Sequence, residues 1–127
     1  MEQYLIDTNV VSDYFSASLP ISGLNFMDAV IDAVPNLSVI TQIELLCWKT
    51  DSLEEQRVKD FIEDSVVLDI TPNVILHCVD IRRNRKVKTP DAIIAATAIA
   101  YDLTLISNNE KDFSQINGLR FINPYKV

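Results

Sequence analysis

Five short apolar segments punctuate this chain, and the stretches between them carry helical spacing. Tyr4-Leu5-Ile6, Leu37-Ser38-Val39-Ile40, Val66–Ile70, Leu103–Ile106 and Arg120–Asn123 have the length and side chains of strands. Between them, residues 10–15 and 26–34 read as helices, the second ended by Pro35 and Asn36. Thr41 is positioned to cap a helix that carries Glu44, and Ser52-Leu53-Glu54-Glu55 fits a capping box for a helix reaching Asp64. Thr71-Pro72 signals a helix toward Arg85, with Ile75, Cys78 and Val79 on its apolar stripe. Thr89-Pro90-Asp91 repeats that start signal, and 92–101 is so apolar that the helix must be buried nearly all round. Alternation of this kind predicts a parallel sheet covered by helices on both faces, with right-handed crossovers. In such sheets, ligands bind beyond the carboxyl ends of the strands.

The chain has 127 residues, the size of one domain, and 48% are hydrophobic, enough for one core. Its 18 acids and 11 bases give a formal charge of −7, which argues against a generic nucleic-acid coat or a membrane-surface binder. The charge is uneven: residues 1–69 hold 13 acids and 3 bases, whereas 70–127 hold 5 acids and 8 bases. The two glycines, Gly23 and Gly118, cannot build a Gly-rich phosphate loop. Two cysteines, Cys47 and Cys78, and one histidine, His77, make a zinc site untenable. Both thiols are expected to be reduced and buried, and His77 to be a packing or surface residue. The start resembles no signal peptide and no run approaches membrane-spanning length, so the expectation is a cytoplasmic protein without a membrane partner.

The carboxyl-edge rule gives the acids a common location. Asp7 closes the first strand, Glu44 lies a few residues past the second, Asp91 sits in the first turn of the most apolar helix, and Asn109 and Asp112 follow the fourth strand. Each has a plain structural explanation: Asp7 as a helix cap, Asp91 as a partner of the helix dipole, Glu44 as a surface acid. Yet Glu44 stands among Ile43, Leu45 and Leu46, and Asp91 beside Ile93 and Ile94. Acids in apolar surroundings are rare unless paired or metal-bound. Converging carboxylates repel one another, and a hard divalent cation such as Mg²⁺ or Mn²⁺ removes the conflict.

Four segments carry a family resemblance: Leu5-Ile6-Asp7-Thr8-Asn9, Thr41-Gln42-Ile43-Glu44-Leu45, Thr89-Pro90-Asp91 with the Ala92–Ala98 run, and Leu105 through Phe113. In this order they resemble the signatures of PIN-domain ribonucleases, and in particular the VapC-type toxins of toxin–antitoxin pairs. The resemblance covers nearly the whole chain. It implies a single PIN domain over 1–127, with a three-layer α/β/α fold around a mostly parallel five-stranded sheet. It also implies an endoribonuclease dependent on Mg²⁺ or Mn²⁺, with Asp7 and Asp91 as main metal ligands. Glu44 would bind a second metal or orient the attacking water. The fourth acidic position is open between Asn108, Asn109 and Asp112, because many relatives carry aspartate where this chain has Asn108-Asn109. A VapB-like antitoxin, an RNA substrate and a homodimer are the implied partners. Trp48 stands four residues after Glu44, where relatives often have glycine.

Metal-assisted hydrolysis of a phosphodiester needs no histidine base, which suits this composition. Five of the 11 bases, Arg82, Arg83, Arg85, Lys86 and Lys88, lie within seven residues just before Asp91. They read either as a solvated helix end or as an RNA-contacting rim, and the two are compatible. A haloacid-dehalogenase-like phosphatase would need a second aspartate two residues after Asp7, where Asn9 stands. A receiver domain would need an acidic pair and a late lysine, and neither is evident. The remaining alternative is a PIN-like protein or RNA interaction module whose metal site has weakened at Asn109.

Overall fold

A computed structural model describes residues 2–127. Its strands are β1 (Tyr4–Ile6), β2 (Asn36–Ser38), β3 (Val66–Leu68), β4 (Thr104–Ile106) and β5 (Arg120–Ile122). They form one sheet in the order β3-β2-β1-β4-β5, parallel throughout. The helices are α1 (Thr8–Phe15), α2 (Ile21–Asp32), α3 (Val39–Leu46), α4 (Ser52–Glu63), α5 (Pro72–Asn84), α6 (Thr89–Ala100) and the single turn α7 (Glu110–Phe113); a 3₁₀ turn spans Pro124–Lys126. The expected three-layer α/β architecture is therefore present, and all rather than most of the strand pairs are parallel. Among the described residues, no helix is long and apolar enough to cross a membrane.

The alternating pleat of the two central strands divides the core. Leu5 pairs with Leu105 and Ile6 with Ile106, and all four are fully buried. Leu5 and Leu105 pack on one face with Val74 and Ile81 of α5 and Ala92, Ile94 and Ala98 of α6. Ile6 and Ile106 pack on the other with Val10 of α1, Met27 of α2, Leu45 of α3 and Val58 of α4. Because β1 has a sheet neighbour on each side and a helix layer on each face, the residue that follows it is held deep in the molecule.

Several boundaries differ from the sequence reading, each for a local reason. The second strand ends at Ser38, not Ile40, because Ser38 rather than Thr41 caps α3: its Oγ accepts the Thr41 N–H at 3.0 Å. Thr41 is thereby the third residue of the helix. Asp51, not Ser52, caps α4, accepting the Glu54 N–H at 2.8 Å, and Glu55 accepts from Thr50 N at 3.5 Å. The cap is thus displaced by one residue, and Glu54 pairs with Arg57 instead of returning to the cap N–H. Helix α2 begins after Pro20, five residues earlier than read, and Val34 lies outside it, exposed, with φ +63°. Thr89 is inside α6 and Lys88 occupies the cap position without a side-chain hydrogen bond. Thr71 does cap α5, accepting the Val74 N–H at 3.2 Å. The buried stripe of α5 is Val74 and Ile81, whereas Ile75 and Val79 are half exposed. Cys47 is exposed rather than buried, since it caps the carboxyl end of α3 on the outside, and Cys78 is partly buried.

Candidate active site

Asp7 is the first residue past β1. Its N–H donates to Ile106 O at 2.9 Å, so the ladder between β1 and β4 continues one residue beyond the strand and fixes the Asp7 backbone. The side chain is 4% exposed. One carboxylate oxygen accepts the Thr8 N–H at 2.9 Å, the cap expected for α1, and the other accepts the Ser107 hydroxyl at 2.7 Å. Ser107 follows β4 as Asp7 follows β1, and the in-register pairing of the two strands sets them side by side.

Thr8 organises the second acid. Its Oγ1 donates to Glu44 Oε1 at 2.6 Å and lies 3.0 Å from Thr41 Oγ1, which in turn is 3.3 Å from Ser38 Oγ. A hydroxyl carries one proton and a carboxylate only accepts. Thr8 therefore gives its proton to Glu44, and the Thr41 hydroxyl can supply its own to Thr8. The chain of hydroxyls from β2 to α1 aims Glu44 at the sheet's carboxyl edge.

Asp91 lies in the first turn of α6, half buried. Asp112 lies in α7, where Asn109 does double service. The Asn109 side-chain oxygen accepts the Asp112 N–H at 3.3 Å, and its Nδ2 donates to Asp112 Oδ2 at 3.0 Å. The Asn109 backbone N–H donates to Ser107 Oγ at 3.0 Å. Asn108 turns elsewhere and donates to Asp13 Oδ2 at 3.0 Å. Of the three candidates for the fourth position, Asp112 is the one whose charge acts on Asp91, while Asn109 holds it.

The electrostatics tie the acids together. Burial pushes the Asp7 carboxyl up to about 6; the Ser107 and Thr8 hydrogen bonds oppose that, and the charges of Asp91 and Glu44 add to it. Burial also raises Asp91, followed by the charges of Asp112 and Glu44, while Lys88 acts in the opposite direction. None of the ion pairs among the described residues involves Asp7, Glu44, Asp91 or Asp112. Nor do any three His, Cys, Asp or Glu side chains among the described residues stand together as a group that could hold a metal ion. The four side chains nonetheless offer carboxylate oxygens, the donor type that hard divalent cations such as Mg²⁺ and Mn²⁺ prefer. A desolvated carboxylate with like charges around it and no cation partner is a site that a divalent ion would relieve.

The basic segment runs from the end of α5 to the start of α6. Arg82, Arg83, Arg85, Lys86 and Lys88 are all exposed. Arg82 Nε donates to Val87 O at 3.2 Å and so folds the segment back over buried Val87. Lys88 is the one whose charge reaches Asp91. His77 is on α5, partly buried, and belongs to none of these contacts. Trp48 packs on the α1–α4 side of the core.

Sequence reasoning missed Ser107, Thr8, Thr41 and Ser38 as site builders. Thr8, Thr41 and Ser107 lie inside the segments that carry the resemblance and Ser38 ends β2, but strand order is needed to see which of these ends are neighbours.

A family model described as the PIN domain matches residues 4–119. Among solved structures, a toxin–antitoxin complex from Klebsiella pneumoniae matches with a TM-score of 0.77 at 31% identity, covering 98% of this chain and 100% of that one. DNA-bound VapBC from Salmonella typhimurium matches with a TM-score of 0.77 at 25% identity, covering 98% and 99%. VapBC2 from Rickettsia felis, bound to a fragment of its promoter, shares the fold with a TM-score of 0.78 at 23% identity, covering 94% and 97%. No curated protein sequence matches the chain.

Proposed function

The chain belongs to the PIN-domain family, and from that premise we propose that it is a metal-dependent endoribonuclease, the toxin of a VapBC-type pair. The observation that carries this reading is Asp7: a buried carboxylate at the sheet's carboxyl edge, held by Ser107 and Thr8, and subject to the charges of Asp91 and Glu44.

Asp7 and Asp91 are the proposed ligands of Mg²⁺ or Mn²⁺. Held there, a divalent cation would supply positive charge beside the scissile phosphate and lower the pKa of water toward neutrality. The hydrogen bonds from Ser107 and Thr8 N–H keep Asp7 ionised and in one orientation despite its burial. Thr8 holds Glu44 so that its free oxygen can orient the attacking water or share a second cation. Asn109 holds Asp112 as the fourth acid. Attack forms a bond from the water oxygen to phosphorus as the bond to the leaving oxygen breaks; the proton the water loses to solvent balances the one the leaving alkoxide takes from solvent, and neither transfer calls for histidine.

RNA is proposed to lie along the exposed Arg82–Lys88 rim, whose phosphate contacts would position the strand without reading its sequence. The relatives at 25% and 31% identity are toxin–antitoxin complexes, which supports a VapB-like antitoxin as partner. A homodimer is proposed on the family resemblance and is checked by light scattering.

Purified protein is incubated with RNA in Mg²⁺ or Mn²⁺ and in chelator. Cleavage should require the cation and be lost in Asp7→Asn and Asp91→Asn, which keep shape and remove charge. Variants that cleave as well as the parent would show the site to be wrong. A folded protein that takes up no Mn²⁺ in calorimetry would instead indicate an interaction module with a weakened site.

A further inference from the structure

The 3₁₀ turn Pro124–Lys126 and its cap Asn123 are bound to the segment that follows β4 directly at Glu110, and share with Asn108 a carboxylate oxygen of Asp13. Asn123 Nδ2 donates to Glu110 Oε2 at 3.1 Å, and Lys126 Nζ contacts Glu110 Oε1 at 2.7 Å. The Tyr125 hydroxyl donates to Asp13 Oδ2 at 2.9 Å, and the same oxygen accepts Asn108 Nδ2 at 3.0 Å. Asn123 Oδ1 caps the turn by accepting the Tyr125 N–H at 2.9 Å. Gly23 of α2 seats the turn from behind, because a methyl group there would overlap the Pro124 carbonyl oxygen.

These bonds converge on a segment that cannot hold itself. Helix α7 has four residues, far below the length at which a helix is stable on its own hydrogen bonds. Its first residue, Glu110, is the one grasped by Asn123 and Lys126. Exposed ion pairs and hydrogen bonds are individually weak. Here two donors share one carboxylate and two share one oxygen of Asp13, so each contact is made by groups already ordered by another.

We propose that the 3₁₀ turn is a positioning latch for the acidic site: Asn123 and Lys126 hold Glu110 directly, Tyr125 fixes the Asp13 carboxylate to which Asn108 also donates, and together they set Asn109, which orients Asp112 and bonds Ser107 beside Asp7. Tyr125, Asn123 and Lys126 are positioning residues, and the functional half of the proposal rests on the nuclease reading.

The test uses the whole protein carrying Asn123→Asp and Tyr125→Phe together. Asn123→Asp keeps the cap of the turn but replaces the donor to Glu110 with an acceptor; Tyr125→Phe keeps the ring and removes the hydroxyl. Amide hydrogen exchange is followed at Asn109 and Asp112, with Leu105 and Ala96 as core references. Mn²⁺ affinity is measured by calorimetry with the metal alone. Exchange at Asn109 and Asp112 should accelerate about tenfold relative to the core references, which two lost hydrogen bonds can supply. Mn²⁺ affinity should fall about tenfold, and kcat for RNA cleavage should fall with KM little changed. Unaltered exchange at 109 and 112 would overturn the latch. Faster exchange with unaltered Mn²⁺ affinity would overturn its role in positioning. A parent protein that binds no Mn²⁺ would defeat the nuclease reading separately, while the exchange result still decides whether the turn orders this segment.

Discussion

Ser107 donates its hydroxyl to Asp7 at 2.7 Å across 100 positions of sequence, and this bond exists because β1 and β4 are neighbours in exact register. Both residues are buried, with Asp7 4% and Ser107 0% exposed. The bond favours the ionised carboxylate at the point where burial disfavours it most.

Ser107→Ala removes that donor without adding bulk. With Asp7 ionised, one carboxylate oxygen is left without its partner, a loss of about 1–3 kcal/mol. The expected result in chelator is a lower denaturant midpoint at pH 8 than the parent shows. Weaker Mn²⁺ binding in calorimetry should accompany it, and Ser107→Thr should retain part of both.

The metal-free protein should become less stable as pH rises through the Asp7 transition. Burial pushes its carboxyl up to about 6 in the fold from an ordinary 3.8, so between these values the folded state holds a proton that the unfolded state has already released. The stabilisation is complete below 3.8, declines between the two values and is gone above about 6. Its ceiling is on the order of 3 kcal/mol. Urea unfolding in chelator at pH 4, 5 and 7.5, compared with Asp7→Asn, isolates this contribution. Saturating Mn²⁺ should reverse the slope, because the ion binds the deprotonated form.

Thr8→Val keeps the β-branched shape and removes the donor that aims Glu44. Loss of the 2.6 Å bond should cost about 1–2 kcal/mol and reduce RNA cleavage at least tenfold. Thr8→Ser should restore most of the activity. Equal cleavage by Thr8→Val and parent would remove Glu44 orientation from the mechanism.

Neutralising the rim with Arg83→Gln, Arg85→Gln and Lys86→Gln should raise KM for RNA and leave Mn²⁺ affinity unchanged. Each lost phosphate contact should lower the steepness of the salt dependence by about 0.7 on a log–log plot for a single strand. A salt dependence identical to the parent's would place the RNA elsewhere.

The helix starts show where local reading fails. Ser38 and Thr41 are both good caps by type, as are Asp51 and Ser52, and the choice within each pair depends on where the preceding element stops. Ser38 stops β2 because Val39 and Ile40 are needed on α3, where Ile40 packs against the core. The α5 stripe was misplaced because Ile75 and Val79 share the periodicity of Val74 and Ile81. Only the packing of α5 on α6 decides which face is covered. The sequence leaves the fourth position open between Asn108, Asn109 and Asp112, and only the turn geometry of α7 shows that the Asn109 side chain bonds Asp112 while Asn108 bonds Asp13.

By itself, the sequence determined the alternation of strands and helices, the burial of the 92–100 helix, and an expected place for Asp7, Glu44, Asp91, Asn109 and Asp112 near the carboxyl edge of a parallel sheet. Those properties follow from side-chain periodicity and from the common direction of the strands, both of which are written locally. Tertiary structure alone decided that Ser107 serves Asp7, that Thr8 and Thr41 serve Glu44, and that a turn at 124–126 reaches Glu110 and Asp13. Each of those bonds joins segments that strand order and packing bring together, and no local spacing encodes such a contact.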